Sequence, residues 1–400
     1  MVNKRYKEML EHKSVIRELS EYATARGQEI GYENVFDYSL GNPSVPVPQD
    51  YTDAVIRLHQ ETEPVQLHGY SPSLGDTEVR GIVASSLEKR FGIPYETRHI
   101  FMASGAAGAL SHALRIVTEP GDEIILFAPF FPEYIPYTKG AGLIPKIVEA
   151  DFFSFQINFD AFEALLTEKV SAVLINSPNN PSGIVYSEET LKKLVSILEK
   201  AEKQYGHEIF LISDEPYREI VFDGAKTPYP SKYYKNTLSC YSFSKSLSLP
   251  GERIGYVAVN PEAKDADLLA VMCGQVSREI GHNCPAKTSQ LGVAAVIDET
   301  ADLSVYETNM NLIYDCLLGL GFEVVRPGGT FYIMPKALEA DSIAFCKKAL
   351  KYDLIFVPAD NFGAPGYFRM AYCIETEKVR RSFVALEKFV STEYGATKQH

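Results

Sequence analysis

No apolar run in this chain approaches the ~18 residues that a membrane-crossing helix needs, so no span is expected. The first eight residues, Met1-Val2-Asn3-Lys4-Arg5-Tyr6-Lys7-Glu8, are charged and lead into no apolar stretch of the signal-peptide kind. Cysteine is sparse, with six residues at 240, 273, 284, 316, 346 and 373 and no close-spaced pair. That scatter suits reduced thiols in the cytoplasm better than a disulfide frame or a zinc site. The eight histidines form no His-Glu-x-x-His or similar cluster, and no metal site is expected. Positive charge is in deficit: 39 Lys and Arg against 52 Asp and Glu give a formal net charge of −13 and a pI near 5.2. With no basic cluster to offset it, that balance argues against nucleic acid and anionic membranes as partners. Tryptophan is absent altogether, which leaves any ring stacking to Phe, Tyr and His.

What is present is globular. At 400 residues, 46% hydrophobic and 23% charged, the chain exceeds one ordinary domain and can bury a sizeable core. Residues 1–30 are polar, with apolar positions at Met9, Val15, Ile16 and Leu19, and read as a partly helical arm. From about residue 99 strand and helix signals alternate. Seven strands are expected in His99–Ser104, Glu123–Pro129, Gly142–Ala150, Val170–Pro178, Glu208–Asp214, Thr237–Ser244 and Gly255–Asn260. Runs such as Ser171-Ala172-Val173-Leu174-Ile175 are continuously apolar, as a parallel sheet covered on both faces requires. Between them lie helical stripes, clearest in Leu191, Leu194, Val195, Leu198 and Ala201. The alternation predicts an α/β sandwich with ligands at the carboxyl ends of its strands.

After Asn260 the pattern changes. Residues 262–300 read as helical, interrupted at Arg278–Pro285. Tyr306–Gly321 reads as a helix with a glycine stop, Glu323–Met334 as a strand pair, and the remainder as α+β. The expected division is an arm and part of a small domain over 1–48, a large domain over 49–290, and a small domain over 291–400.

Lys245 stands in Tyr241-Ser242-Phe243-Ser244-Lys245-Ser246-Leu247-Ser248, at the end of the strand expected from Thr237. Desolvation there favours the neutral amine, and the cation of Arg253, eight residues on, pushes the same way. A neutral, partly buried lysine is the amine of Schiff-base chemistry. The serines at 242, 244, 246 and 248 offer hydroxyls suited to a phosphate. The plainer alternative is a lysine at a strand end pointing into water.

Other segments after strands carry similar double readings. Ser104-Gly105-Ala106-Ala107-Gly108 opens a helix whose backbone N–H groups could meet an anion, or whose small residues serve close packing. Phe131, in Pro129-Phe130-Phe131-Pro132, could stack on a flat ring or be core. Asn176-Ser177-Pro178-Asn179-Asn180-Pro181-Ser182-Gly183 is a turn by any reading. Asp214, closing Phe210-Leu211-Ile212-Ser213, needs a partner because a desolvated charge alone is costly. A salt bridge, a helix cap or a pyridinium nitrogen would each serve. Arg369, in Phe368-Arg369-Met370-Ala371, could fork onto a carboxylate or form a core ion pair. Near the N-terminus, Gly41 in Gly41-Asn42-Pro43-Ser44-Val45-Pro46 permits close backbone approach in an extended segment. Tyr70 lies in the loop Gly69-Tyr70-Ser71-Pro72-Ser73-Leu74-Gly75.

Taken together and in this order, these motifs resemble the fold-type I aminotransferases, the aspartate aminotransferase superfamily that uses pyridoxal 5'-phosphate. The likeness spans nearly the whole chain, and Ser-x-Ser-Lys followed by Arg-x-Gly and Asn-Pro-Ser-Gly are its most specific parts. The resemblance implies a large domain with a mostly parallel seven-stranded sheet between helices, plus a smaller α+β domain. It implies that Lys245 carries the cofactor, Asp214 faces its ring nitrogen, and Asn180 and Tyr217 face its 3-oxygen. Phe131 would stack on the ring. Gly105, Ala106, Ala107, Ser242 and Arg253 would hold the phosphate, joined by Tyr70 from the other subunit of a homodimer. Many relatives carry tryptophan or tyrosine at the position of Phe131, and serine or threonine at that of Ala107. Gly41, Asn180 and Arg369 would meet the substrate carboxylate. Arg278, five residues before Asn283-Cys284-Pro285, has the spacing of a partner-chain arginine that reads a second carboxylate. Aspartate, glutamate and 2-oxoglutarate are then the expected substrates, with aromatic or broad specificity the alternative. β-Elimination or decarboxylation on the same fold, and a non-catalytic cofactor-binding regulator, are the other functions this lysine admits.

Overall fold

The computed structural model describes residues 2–11 and 15–395. Twelve strands lie among them. In chain order they are β1 (Phe36–Asp37), β2 (Ile100–Ala103), β3 (Glu123–Phe127), β4 (Ile144–Val148), β5 (Val170–Asn176), β6 (Phe210–Asp214), β7 (Thr237–Ser242), β8 (Gly255–Val259), β9 (Tyr332–Ile333), β10 (Leu354–Ile355), β11 (Val357–Pro358) and β12 (Phe368–Ala371).

The large sheet takes the seven strands β2 to β8 in the order β2-β8-β7-β6-β5-β3-β4. Each lies within one of the seven expected segments. All run parallel except β8, which is antiparallel to both neighbours. The apolar runs follow from burial on two faces: every residue of β2, β3, β6, β7 and β8 is buried. The strand β4 lies at the sheet edge, and only its last residue is buried. On one face the helices Gly105–Ile116 and Ala266–Ile280 cover Leu126, Ile212 and Val257. On the other, helix Glu188–Tyr205 buries the stripe of Leu191, Leu194, Val195, Leu198 and Ala201. That helix starts where Ser187 Oγ accepts from the Thr190 N–H and stops at Gly206, whose φ of 79° few other residues adopt without strain.

A separate core lies beneath the smaller sheets. There β1 pairs in parallel with β10, and β11, β12 and β9 form an antiparallel trio. The helices Ser304–Gly319, Ser342–Ala349 and Thr376–Tyr394 pack Met310, Phe345 and Phe389 against them. Thus the chain leaves the arm, adds β1 to this core, and only then enters the large sheet.

Two local expectations need correction. The strand pair expected over Glu323–Met334 is reduced to β9. Pro327 has no N–H for a ladder, and the Gly328 and Gly329 N–H groups donate to the Gly183 carbonyl at 2.9 and 3.0 Å instead. The strand expected to run to Ser244 ends at Ser242, where the chain turns helical over Phe243–Ser246. Among the described residues no helix is long and apolar enough to cross a membrane, and no three His, Cys, Asp or Glu are grouped to hold a metal ion.

Candidate active site

A cavity of about 530 Å³ opens at the carboxyl ends of β5, β6 and β7. The parallel ladder sets its floor in register, because Asp214 pairs with Asn176 on one side and with Cys240 on the other. Gly41, Ala106, Ala107, Phe131, Asn180, Asp214, Tyr217, Ser242, Lys245, Arg253 and Arg369 all line it. Residues from 41 to 369 therefore meet in one space.

Lys245 sits on the short helical turn that follows β7, and Nζ donates to the Gly41 carbonyl at 2.7 Å. Burial lowers its pKa from 10.5 to about 8, and the nearby guanidinium groups of Arg253 and Arg369 add to that fall. The turn also corrects the reading of the serines. Once the chain is helical, alternate residues no longer share a face. Ser242 and Ser244 line the cavity, whereas Ser246 Oγ pairs with the Tyr241 hydroxyl at 2.7 Å and Ser248 takes no part in the lining.

Asp214 is 5% exposed. Its Oδ2 accepts the Tyr134 hydroxyl at 2.5 Å, while Oδ1 is buried without a hydrogen-bond partner. Burial raises its pKa from 3.8 to about 7. Tyr217 is buried beside it, its hydroxyl 3.3 Å from that of Tyr332. Tyr332 in turn accounts for Gly41, because a Cβ there would lie 1.8 Å from the Tyr332 hydroxyl oxygen.

Arg369 is 1% exposed and makes no ion pair with a carboxylate among the described residues. Its Nη1 donates to Asn180 Oδ1 at 3.1 Å and its Nη2 to the Ser39 carbonyl at 2.5 Å; Nε has no partner. The core ion pair considered from the sequence is therefore not formed. A buried guanidinium held only by neutral acceptors is a site for a carboxylate.

At the other end, the helix Gly105–Ile116 begins with no side-chain cap on its free N–H groups. Gly105 has φ of 71°, and a Cβ there would lie 2.7 Å from Arg253 Nη2. The glycine thus lets the guanidinium lie against the helix start. Gly255 serves the same approach, since its Cβ would meet the Tyr241 carbonyl oxygen at 2.2 Å and Gly105 at 3.2 Å. A guanidinium, a helix N-terminus and two serine hydroxyls make an anion cradle.

Three expected residues are not part of the lining: Gly105, which is buried at the helix start against Arg253, and two residues at the surface. Tyr70 is fully exposed, and Arg278 is exposed in the last turn of helix Ala266–Ile280. Neither lines the cavity of its own chain. Conversely, the sequence reading missed Tyr134, Asn176 and Tyr332, and missed Ile16, Arg17, Ser20 and Glu21, which bring the N-terminal helix to the cavity mouth. The apolar spacing of Val15, Ile16 and Leu19 signalled a helix there but not what it faces.

The cavity fits pyridoxal phosphate on observations of its own. The orphaned Asp214 Oδ1 calls for a buried proton donor, which a ring N–H supplies, and the cradle beside Gly105 calls for an anion. The Lys245 amine lines the same cavity as both. This combination on an α/β sheet defines a pyridoxal-phosphate-dependent enzyme of fold type I.

The comparisons narrow that class. Residues 33–386 match the family described as aminotransferase class I and II, and the chain belongs to that family. It is a pyridoxal-phosphate-dependent transaminase. It is 29% identical over 369 residues to an aspartate aminotransferase of Thermotoga maritima, covering 90% of this chain and 92% of that protein. It is 28% identical to a probable N-acetyl-LL-diaminopimelate aminotransferase of Bacillus subtilis over 370 residues, 90% of each chain. The crystal structure of an aminotransferase from Eubacterium rectale superposes with a TM-score of 0.95 at 44% identity, covering 98% of this chain and 99% of that one.

Proposed function

We propose that this transaminase works on dicarboxylic substrates, moving the amino group of aspartate to 2-oxoglutarate to give glutamate, and works as a homodimer that shares its active sites. The observation that carries the substrate's orientation is Arg369, buried and without a carboxylate of its own. It takes the α-carboxylate, with Asn180 and the Gly41 backbone beside it. Arg278 takes the second carboxylate across the subunit boundary, and Tyr70 reaches the partner subunit's phosphate the same way. Both are exposed in the single chain, and the helix that carries Arg278 also exposes Leu268 and Val271. Apolar side chains so placed suit an interface.

Bound pyridoxal phosphate supplies an aldehyde and a protonated ring that accepts the electron pair left when the substrate's α-proton departs. The chain does the rest. Lys245 holds the cofactor at rest and, once displaced, takes the proton from the substrate α-carbon with Nζ. Its lowered pKa leaves a useful fraction of neutral amine near neutral pH. Asp214 Oδ1 accepts from the ring nitrogen. Tyr217 and Asn180 would donate to the ring oxygen, and Phe131 would stack on the ring. The Gly105, Ala106 and Ala107 N–H groups, Ser242 and Arg253 hold the phosphate.

The domain division belongs to the same reading: an arm and part of the small domain over 1–48, a cofactor-binding domain over 49–290 and a small domain over 291–400. The lack of close-spaced cysteines supports a cytoplasmic setting. The test is a panel of amino donors with 2-oxoglutarate and pyruvate, run on the wild type and on Arg278→Ala. The substitution should raise KM for aspartate ~10-fold, about 1.4 kcal/mol, and leave alanine unchanged. Equal effects on both donors would refute the second-carboxylate role.

A further inference from the structure

We propose that Tyr134 is the positioning residue of Asp214, holding one carboxylate oxygen so that the other meets the cofactor's ring nitrogen as an anion. The proposal rests on reading Asp214 as the partner of that nitrogen. The two oxygens of Asp214 stand in different settings: Oδ2 accepts the Tyr134 hydroxyl at 2.5 Å, and Oδ1 is without a partner. A carboxylate is planar, so the direction of one oxygen sets that of the other.

Tyr134 is itself held fast. It is buried at the start of helix Tyr134–Gly140, its N–H donates to the Phe131 carbonyl at 3.0 Å, and its own carbonyl receives the Thr138 hydroxyl at 2.8 Å. Its ring meets Phe131 edge to face, with centroids 5.7 Å apart and planes at 85°. One side chain thus braces both the acid under the ring nitrogen and the aromatic assigned to the ring face.

The charges around Asp214 make the hydroxyl matter. Glu215, Tyr137, Tyr217 and the Cys240 thiol act on it electrostatically, and none is a cation. Burial and Glu215 both favour the protonated acid; the Tyr134 O–H favours the anion. Burial and the neighbouring carboxylate raise the Tyr134 phenol well above its usual range, so it remains a donor. Without that donor Asp214 would retain its own proton further into the neutral range, and Oδ1 would be less able to accept one from the ring.

The test uses Tyr134→Phe, which keeps the ring against Phe131 and removes only the hydroxyl. Apo-proteins are titrated with pyridoxal phosphate across the neutral range by equilibrium dialysis, with melting curves to confirm folding. The expected result is a ~10-fold loss of affinity near neutral pH, with the acid limb of the affinity profile displaced upward by about one unit. In an Asp214→Asn background the same change should have no such effect, because nothing is left to ionise. A folded Tyr134→Phe protein with an unmoved acid limb, or an equal loss in the Asp214→Asn background, would overturn the proposal. Failure of the wild type to bind the cofactor would instead overturn the reading of the site itself.

Discussion

Arg369 Nη1 and Asn180 Oδ1 lie 3.1 Å apart, joining β12 of the small sheet to the turn that follows β5 of the large one. The contact orients a guanidinium that forms no ion pair with a carboxylate among the described residues. Replacing Arg369 with Ala should therefore raise KM for every amino acid and 2-oxo acid ~30-fold or more, the loss expected on truncating one partner of a buried charged pair. Steady-state kinetics on several donors checks this. A loss confined to one donor would contradict a role at the carboxylate common to all.

Lys245 is read as both the tether and the base. Lys245→Ala should lower transamination on the order of 10⁴-fold while the protein still binds the cofactor non-covalently. In the wild-type apo-protein, acylation of Lys245 followed by peptide mapping should reach half its maximal rate near pH 8, where the amine loses its proton. Half-maximal labelling near 10.5 would show an ordinary, solvated lysine.

Asp214 links stability to pH in a definite direction. The folded apo-protein keeps this proton up to about pH 7, whereas the unfolded chain gives it up near 3.8. The contribution to stability is therefore full below 3.8 and is lost as pH rises through 7. Between pH 5 and 8 the melting temperature of the wild-type apo-protein should fall more than that of Asp214→Asn. Parallel curves would place the pH dependence elsewhere.

Gly105 is required twice, by its φ of 71° and by Arg253 Nη2 at 2.7 Å from where a Cβ would stand. Gly105→Ala should cost about 1–2 kcal/mol of stability from the left-handed backbone alone. It should also push the guanidinium off the helix start. Affinity for pyridoxal phosphate should then fall while that for pyridoxal, which has no phosphate, stays nearly constant. An equal loss for both would argue against the anion cradle.

The large sheet was legible in the sequence because strands buried on both faces are written as apolar runs, as in β5 and β6, and because strand and helix signals alternate around them; the edge strand β4, with Lys146 in its middle, was marked by that alternation alone. Asp214 and Lys245 stood out for a related reason: a charge ending an apolar run is conspicuous. Tyr134 was hidden among the aromatics of Phe130-Phe131-Pro132-Glu133-Tyr134, where nothing marks one hydroxyl as aimed at an acid eighty residues away. The four serines misled in the opposite way. A spacing of two suggests a shared face only while the chain stays extended, and here it turns helical at Phe243.

The sequence by itself determined which chemistry the chain carries and where along it each group falls, since strand periodicity, turn residues and desolvated charges are all local properties. Only the tertiary structure decided which distant groups share a space. It brought the Gly41 carbonyl to Lys245 Nζ, held the Arg369 guanidinium by the neutral acceptors of Asn180 and Ser39, and gave Asp214 one occupied oxygen and one open one. Those relations depend on how two separately buried cores pack against each other, and no window of neighbouring residues encodes that.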